Sequence, residues 1–128
     1  MIYTDSSVAL AHLFREPQRP PDSFWRQPLV SSKLLEYEVW NRVHAYRLTA
    51  SHSEEARQLL ARVVLIELGE PVLARALEPF PVAVRTLDAL HLATMNFTAN
   101  ADEPIELASY DRRLITAAEA LGIPLAAL

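Results

Sequence analysis

The chain has 128 residues, enough for one domain (1–128) with a proper core; at 51% hydrophobic and 22% charged residues it is too apolar for a disordered protein. It holds no cysteine, which excludes disulfides and thiolate metal or redox sites. A net charge of −4 argues against coating nucleic acid by bulk electrostatics and leaves local contacts open.

The opening MIYTDSSVAL lacks the basic and long apolar regions of a signal peptide, and no apolar run reaches membrane-spanning length. The expectation is a cytoplasmic protein with no membrane contact. Basic residues are almost all arginine, Lys33 being the only lysine, a bias that genome composition can also produce.

MIYT reads as a strand, ending at Asp5, Ser6 and Ser7, and Ser6 to Arg15 as a helix. EPQRPPD (Glu16 to Asp22) carries three prolines, which forbid a helix there. PLVSS (Pro28 to Ser32) is a second strand, followed by a helix over Leu34 to Thr49. On that helix Glu36 and Glu38 are two positions apart and point about 200° away from each other, so one faces inward at most. The stripe Leu34, Leu35, Val39, Arg42, Val43 places Glu38 inward and Glu36 outward.

Ser53 to Arg62 is the next helix, with Ser51 and Glu54 spaced as a capping box. VVLIEL (Val63 to Leu68) is a third strand, and Pro71 to Leu77 a short helix. Val84 to Asn96 is an apolar helix, expected to be largely buried, that carries Asp88 and, one turn on, His91. IELAS (Ile105 to Ser109) is a strand, Asp111 to Leu121 a helix stopped by Gly122, and PLAAL a last strand. Strands that read as continuous apolar runs and alternate with helices indicate an α/β fold, a parallel sheet covered by helices on both faces.

In such folds ligands bind beyond the carboxyl ends of the strands. Asp5 and Asp111 follow two strands and can share that edge; Glu38 and Asp88 are further candidates. Two unit charges about 5 Å apart repel by about 3 kcal/mol at an effective dielectric near 20. Converging carboxylates therefore call for a divalent cation, and oxygen donors select Mg²⁺ or Mn²⁺. Scattered histidines and the lack of cysteine leave zinc without support.

Each acid also has an ordinary structural role open to it. Asp5 and Asp111 are favoured residues for capping the helices that follow them. Glu38 fits a half-exposed helix position, and Asp88 can pair with Arg85 one turn earlier. His91 shares a face with Asp88 and is either a metal ligand or, more commonly, a core histidine bonded to backbone. His12, His44 and His52 fit surface or packing positions, while Trp25, Trp40 and Phe97 fit core or interface anchors rather than a base-stacking platform.

Four segments together, MIYTDSSVAL, SSKLLEYEVWNRV, RTLDALHLAT and ASYDRRLITAAEALGI, resemble the motif series of the PIN-domain family, and within it the VapC-type toxins of bacterial toxin–antitoxin pairs. The resemblance runs essentially end to end, with Ser51 to Val82 following only in helical pattern. It implies a three-layer α/β/α sandwich with the acids at one edge of a parallel sheet, and an Mg²⁺-dependent endoribonuclease in which Mn²⁺ can substitute. The family's four acids fall on Asp5, Glu38, Asp88 and Asp111, and its hydroxyl residue two before the last acid falls on Ser109. Ser6 stands where threonine is common and keeps the hydroxyl.

On that resemblance Asp5 and Asp88 are the main metal ligands, helped by Glu38 and Asp111. Ser7 and Ser109 orient the carboxylates, and Arg112 and Arg113 are candidates for RNA phosphate contact. The implied partners are an RNA substrate, a small antitoxin protein in the active-site groove, and a second copy of the chain in a homodimer. A competing class is a non-catalytic PIN-like module that binds RNA or a protein. A haloacid-dehalogenase-like nucleophile would want a second aspartate two after Asp5, where Ser7 stands.

Overall fold

The computed structural model describes residues 1–99 and 104–128. Four strands form one sheet: β1 (Ile2–Thr4), β2 (Leu29–Ser32), β3 (Val63–Ile66) and β4 (Glu106–Ala108), in the order β3-β2-β1-β4. All pairings are parallel, with Tyr3 opposite Val30 on one side and Leu107 on the other. The helices are α1 (Ser6–Leu13), α2 (Leu34–Ala45), α3 (Thr49–Leu60), α4 (Glu70–Ala76), α5 (Thr86–Thr98) and α6 (Arg112–Ala120), with a 3₁₀ turn at Asp22–Arg26.

Strand side chains alternate between two helical layers, as pleating requires. Ile2, Leu29 and Ala108 pack with α1, α2 and α3 through Val8, Leu13, Leu35, Val39 and Leu59. Tyr3, Val30 and Leu107 pack with α5 and α6 through Leu92, Met95, Leu114 and Ala117. The result is the expected α/β/α sandwich. From β1 the chain goes to β2 and β3 on one side, then crosses back to β4 on the other. The carboxyl ends of β1 and β4 therefore flank the switch point, where a crevice forms in parallel sheets.

Several local features depart from the sequence expectation. The predicted helix from Leu34 to Thr49 is broken, because Arg47 takes a left-handed conformation (φ 56°) that turns the chain from α2 into α3. Helix α3 then starts at Thr49, next to Leu48, which packs on the core. Ser51 therefore lies inside the first turn and donates to the Leu48 carbonyl instead of forming a capping box with Glu54. PLAAL makes a single bridge, Leu125 to Leu107, with bonds from Leu107 N–H to Pro124 O and from Ala126 N–H to Leu107 O, both 2.8 Å. Pro124 has no N–H to extend a ladder.

Helix α5 is buried along its inner face but not on its outer one, where Leu87 is 50% and Phe97 55% exposed. Trp25 lies in the core, Trp40 is half-buried against it, and Phe97 faces outward. Gly122 ends α6 at φ 75°, as the sequence suggested. Among the described residues no helix is long and apolar enough to cross a membrane.

Candidate active site

Asp5 sits where β1 gives way to α1, and its carboxylate is almost wholly buried. Its Oδ1 accepts from Ser7 Oγ at 2.6 Å and, as N-cap of α1, from the Val8 N–H at 3.3 Å. Its Oδ2 accepts from Ser109 Oγ at 2.6 Å. Burial pushes the Asp5 carboxyl above the usual aspartate range. The Ser109 and Ser7 hydroxyls, the charge of His91 and the Val8 N–H oppose that shift without cancelling it.

The two hydroxyls also tie β1 to the end of β4. Ser7 Oγ accepts from the Tyr110 N–H at 2.8 Å, and Ser109 Oγ accepts from the Asp111 N–H at 2.9 Å. Asp111 is the N-cap of α6, its Oδ1 accepting from the N–H groups of Arg113 (2.9 Å) and Leu114 (3.4 Å). One serine thus bridges the buried Asp5 to the exposed Asp111.

Asp88 lies in the first turn of α5, half-buried. Among the described residues it makes no ion pair, so the pairing with Arg85 does not form. Its carboxyl is raised, first by burial and then by the charge of Asp111, against the pull of His91, Arg113 and Arg85. Asp88 and Asp111 are therefore close enough to feel one another.

Glu38 faces inward on α2, while Glu36 pairs with Lys33 at 2.8 Å. Glu38 Oε2 accepts from Ser6 Oγ at 3.0 Å, and Oε1 lies 2.6 Å from His91 Nε2. The other ring nitrogen of His91, Nδ1, is 2.7 Å from Tyr3 Oη, which accepts from the Ser32 N–H at 3.1 Å. His91 is buried, as expected of a core histidine, but its partners are side chains rather than backbone. Sequence reasoning missed Tyr3 and Ser32 altogether. The one local signal was a tyrosine in an otherwise aliphatic strand, whose hydroxyl had to find a partner in the core.

Arg112 and Arg113 are both exposed at the start of α6; the charge of Arg113 reaches Asp88. Beside Glu38 a cleft of about 860 Å³ opens between Ser6, Tyr37, Trp40, Arg42 and Leu87.

Among the described residues no three carboxylates or imidazoles stand close enough, as placed, to enclose an ion. The donor set nevertheless suits a hard cation. It offers only carboxylate oxygen, two of its acids are raised by burial, and one of these also feels a neighbouring acid. Both oxygens of Asp5 are already oriented by hydroxyls, as ligating carboxylates commonly are.

The family model described as PIN domain matches residues 2–120. Ribonuclease VapC46 of Mycobacterium tuberculosis (strain ATCC 25618 / H37Rv) is 34% identical over 125 residues, spanning 95% of this chain and 93% of that one. Ribonuclease VapC47 of Mycobacterium tuberculosis (strain CDC 1551 / Oshkosh) is 30% identical over 129 residues, with the same coverage of 95% and 93%. A family match over almost the whole length, with relatives aligned nearly end to end, places this chain in the PIN-domain family.

Proposed function

We propose that the chain is a divalent-metal-dependent endoribonuclease, the toxin of a toxin–antitoxin pair, built as a single domain over residues 1–128. The observation that carries the reading is Asp5, a carboxylate buried at the switch point and held from both oxygens by hydroxyls, one of which also accepts from the Asp111 N–H. A surface used only for binding has no need to bury an acid at that cost. The relatives' names, both ribonucleases, point the same way.

Asp5 and Asp88 would hold Mg²⁺ or Mn²⁺, assisted by Glu38 and Asp111. When bound, the ion would supply an activated water and neutralise charge at the scissile phosphodiester. Ser7 and Ser109 hold the Asp5 oxygens in place, and Ser6 does the same for Glu38 Oε2. Arg112 and Arg113, exposed beside the acids, would meet backbone phosphates and orient the strand.

The cleft beside Glu38 is the groove for RNA and, in the inactive pair, for the antitoxin. A homodimer and a cytoplasmic setting complete the proposal; the exposed Leu73, Leu77 and Phe97 supply apolar surface for association.

The test is cleavage of a mixed pool of single-stranded and structured RNA by purified protein with Mn²⁺ or Mg²⁺, beside EDTA and Asp88→Asn. Cleavage by wild type alone, lost in EDTA, is the expected result. Equal cleavage by the folded Asp88→Asn variant removes Asp88 from the site. No metal-dependent cleavage by folded wild type moves the chain to the binding-module class.

A further inference from the structure

A continuous hydrogen-bonded chain runs from the middle of the sheet to one of the four acids. The Ser32 N–H donates to Tyr3 Oη, Tyr3 Oη meets His91 Nδ1 at 2.7 Å, and His91 Nε2 meets Glu38 Oε1 at 2.6 Å. Ser6 Oγ closes it by donating to Glu38 Oε2 at 3.0 Å. The links join β2, β1, α5, α2 and α1, five elements that meet only in the folded chain. Tyr3 is fully buried, the His91 side chain is 4% exposed and that of Glu38 22%.

Tyr3 Oη receives the Ser32 N–H and pairs with Nδ1, while Nε2 pairs with Glu38 Oε1. With both ring nitrogens engaged, His91 has none left for a metal. Its rotamer is fixed by Tyr3, an edge-on neighbour at 5.9 Å between ring centroids, and by burial in α5.

Glu38 projects from a solvent-bordered helix face beside the cleft, and a glutamate there samples several rotamers in the absence of restraint. Here each carboxylate oxygen has one partner, each from a different helix. One partner is anchored in the core and one comes from the residue after Asp5.

We propose that His91, braced by Tyr3, is a positioning residue that holds Glu38 in the orientation the metal centre requires. His91 acts through Glu38 and is not itself a ligand. The proposal rests on reading the four acids as a metal centre, and it deepens that reading. It also accounts for an imidazole buried one turn beyond Asp88 on the same helix face, where an aliphatic residue would pack as well.

The experiment is titration of Mn²⁺ into purified full-length protein by calorimetry, read together with the thermal shift on adding Mn²⁺. The variants are Asp5→Asn, Glu38→Ala, His91→Leu, His91→Gln, Tyr3→Phe and the double variants on Glu38→Ala. The expected result is that His91→Leu weakens Mn²⁺ binding by about 10–100-fold, the range seen when a partner behind a ligand is lost. His91→Gln, which keeps an N–H at the Nε2 position, recovers most of it. Tyr3→Phe gives an intermediate loss.

On Glu38→Ala, neither His91→Leu nor Tyr3→Phe weakens binding further, since both act through the missing carboxylate. A role confined to packing would add on that background. Tyr3→Phe removes a single oxygen and carries the test should His91→Leu fail to fold. Additive losses on Glu38→Ala, or binding by folded His91 and Tyr3 variants equal to wild type, overturn the positioning role alone. Wild type that takes up no Mn²⁺, or Asp5→Asn that takes it up equally well, overturns the metal-centre reading and this proposal with it.

Discussion

Ser109→Ala removes one oxygen from the centre of the acid edge, and its effect can be worked from the bonds that oxygen makes. Ser109 Oγ donates to Asp5 Oδ2 at 2.6 Å and accepts from the Asp111 N–H at 2.9 Å, at a residue only 7% exposed. A bond to an ionised group contributes about 1.5–3 kcal/mol and a neutral one about 1 kcal/mol, so the gross loss is about 2.5–4 kcal/mol. Two features reduce it. Ser7 Oγ and the Val8 N–H still hold Oδ1, with Ser7 Oγ 3.4 Å from the vacated position, and Asp111 is itself an exposed residue. The net loss is about 2–3 kcal/mol, which in a domain of this size lowers Tm by roughly 6–15 °C.

The pH dependence carries the sharper signature. Burial raises the Asp5 carboxyl, and the Ser109 hydroxyl is the leading influence pulling it back down, so the alanine variant's carboxyl is raised further. The hydroxyl's preference for the carboxylate is therefore fully present above the variant's folded pKa and is lost as pH falls through the wild-type one. Urea unfolding of the metal-free proteins near neutrality and below the Asp5 transition measures both effects. Gly122→Ala is the control, costing about 1–2 kcal/mol because Gly122 sits at φ 75°, with no contact near the acids and no effect on cleavage expected. A loss below about 0.5 kcal/mol for Ser109→Ala, or a loss equal on both sides of the Asp5 transition, refutes the reasoning.

Two further outcomes are expected. Because burial raises the folded Asp5 carboxyl above the ordinary aspartate value of 3.8, the folded state binds more protons between the two, and this group makes the metal-free protein lose stability as pH rises through that window. Asp5→Asn should flatten that slope and Mn²⁺ should restore stability near neutrality; identical pH profiles for wild type and Asp5→Asn in thermal unfolding would count against it. Arg112→Ala and Arg113→Ala should each weaken RNA binding and reduce the slope of log affinity against log salt by about 0.7 if each meets one phosphate. Arg113→Ala should also raise the Asp88 carboxyl further, since Arg113 is among the groups holding it down. A salt series of filter-binding titrations checks the first effect, and a slope unchanged in both variants removes these arginines from the interface.

The acids were legible in the sequence because their placement needs only local information. An aspartate directly after a short apolar strand in an α/β pattern lies at the carboxyl edge whatever the strand order, which is how Asp5 and Asp111 could be placed. Glu38 could be chosen over Glu36 because helical periodicity separates them by face, and Glu36 does turn to Lys33. What could not be read was long-range or hidden in a continuous periodicity. The Tyr3–His91 contact spans 88 positions and depends on the pleat of β1 meeting the inner face of α5. The break between α2 and α3 rests on a left-handed arginine, with no glycine or proline to announce it. Asp88 is less buried than its apolar neighbours suggested, because α5 turns only one face to the sheet.

Capping and the proposed catalytic role looked like rival explanations of Asp5 and Asp111, and the geometry leaves room for both. A cap fixes a carboxylate against the N–H groups at a helix start, and α1 and α6 both start at the same edge. Each cap spends only one oxygen on its helix: Asp5 keeps Oδ2 for Ser109, and Asp111 uses Oδ1 alone for Arg113 and Leu114. The rigidity that the proposed metal centre would demand of its ligands is thus supplied by ordinary secondary-structure chemistry. Asp88 has no such cap and, among the described residues, no side-chain partner, whereas Glu38, on the longest lever, has two separate donors. Restraint on each acid thus tracks how far its side chain can wander from its backbone: strand-end aspartates by caps and hydroxyls, the helical glutamate by a histidine from α5 and a serine from α1.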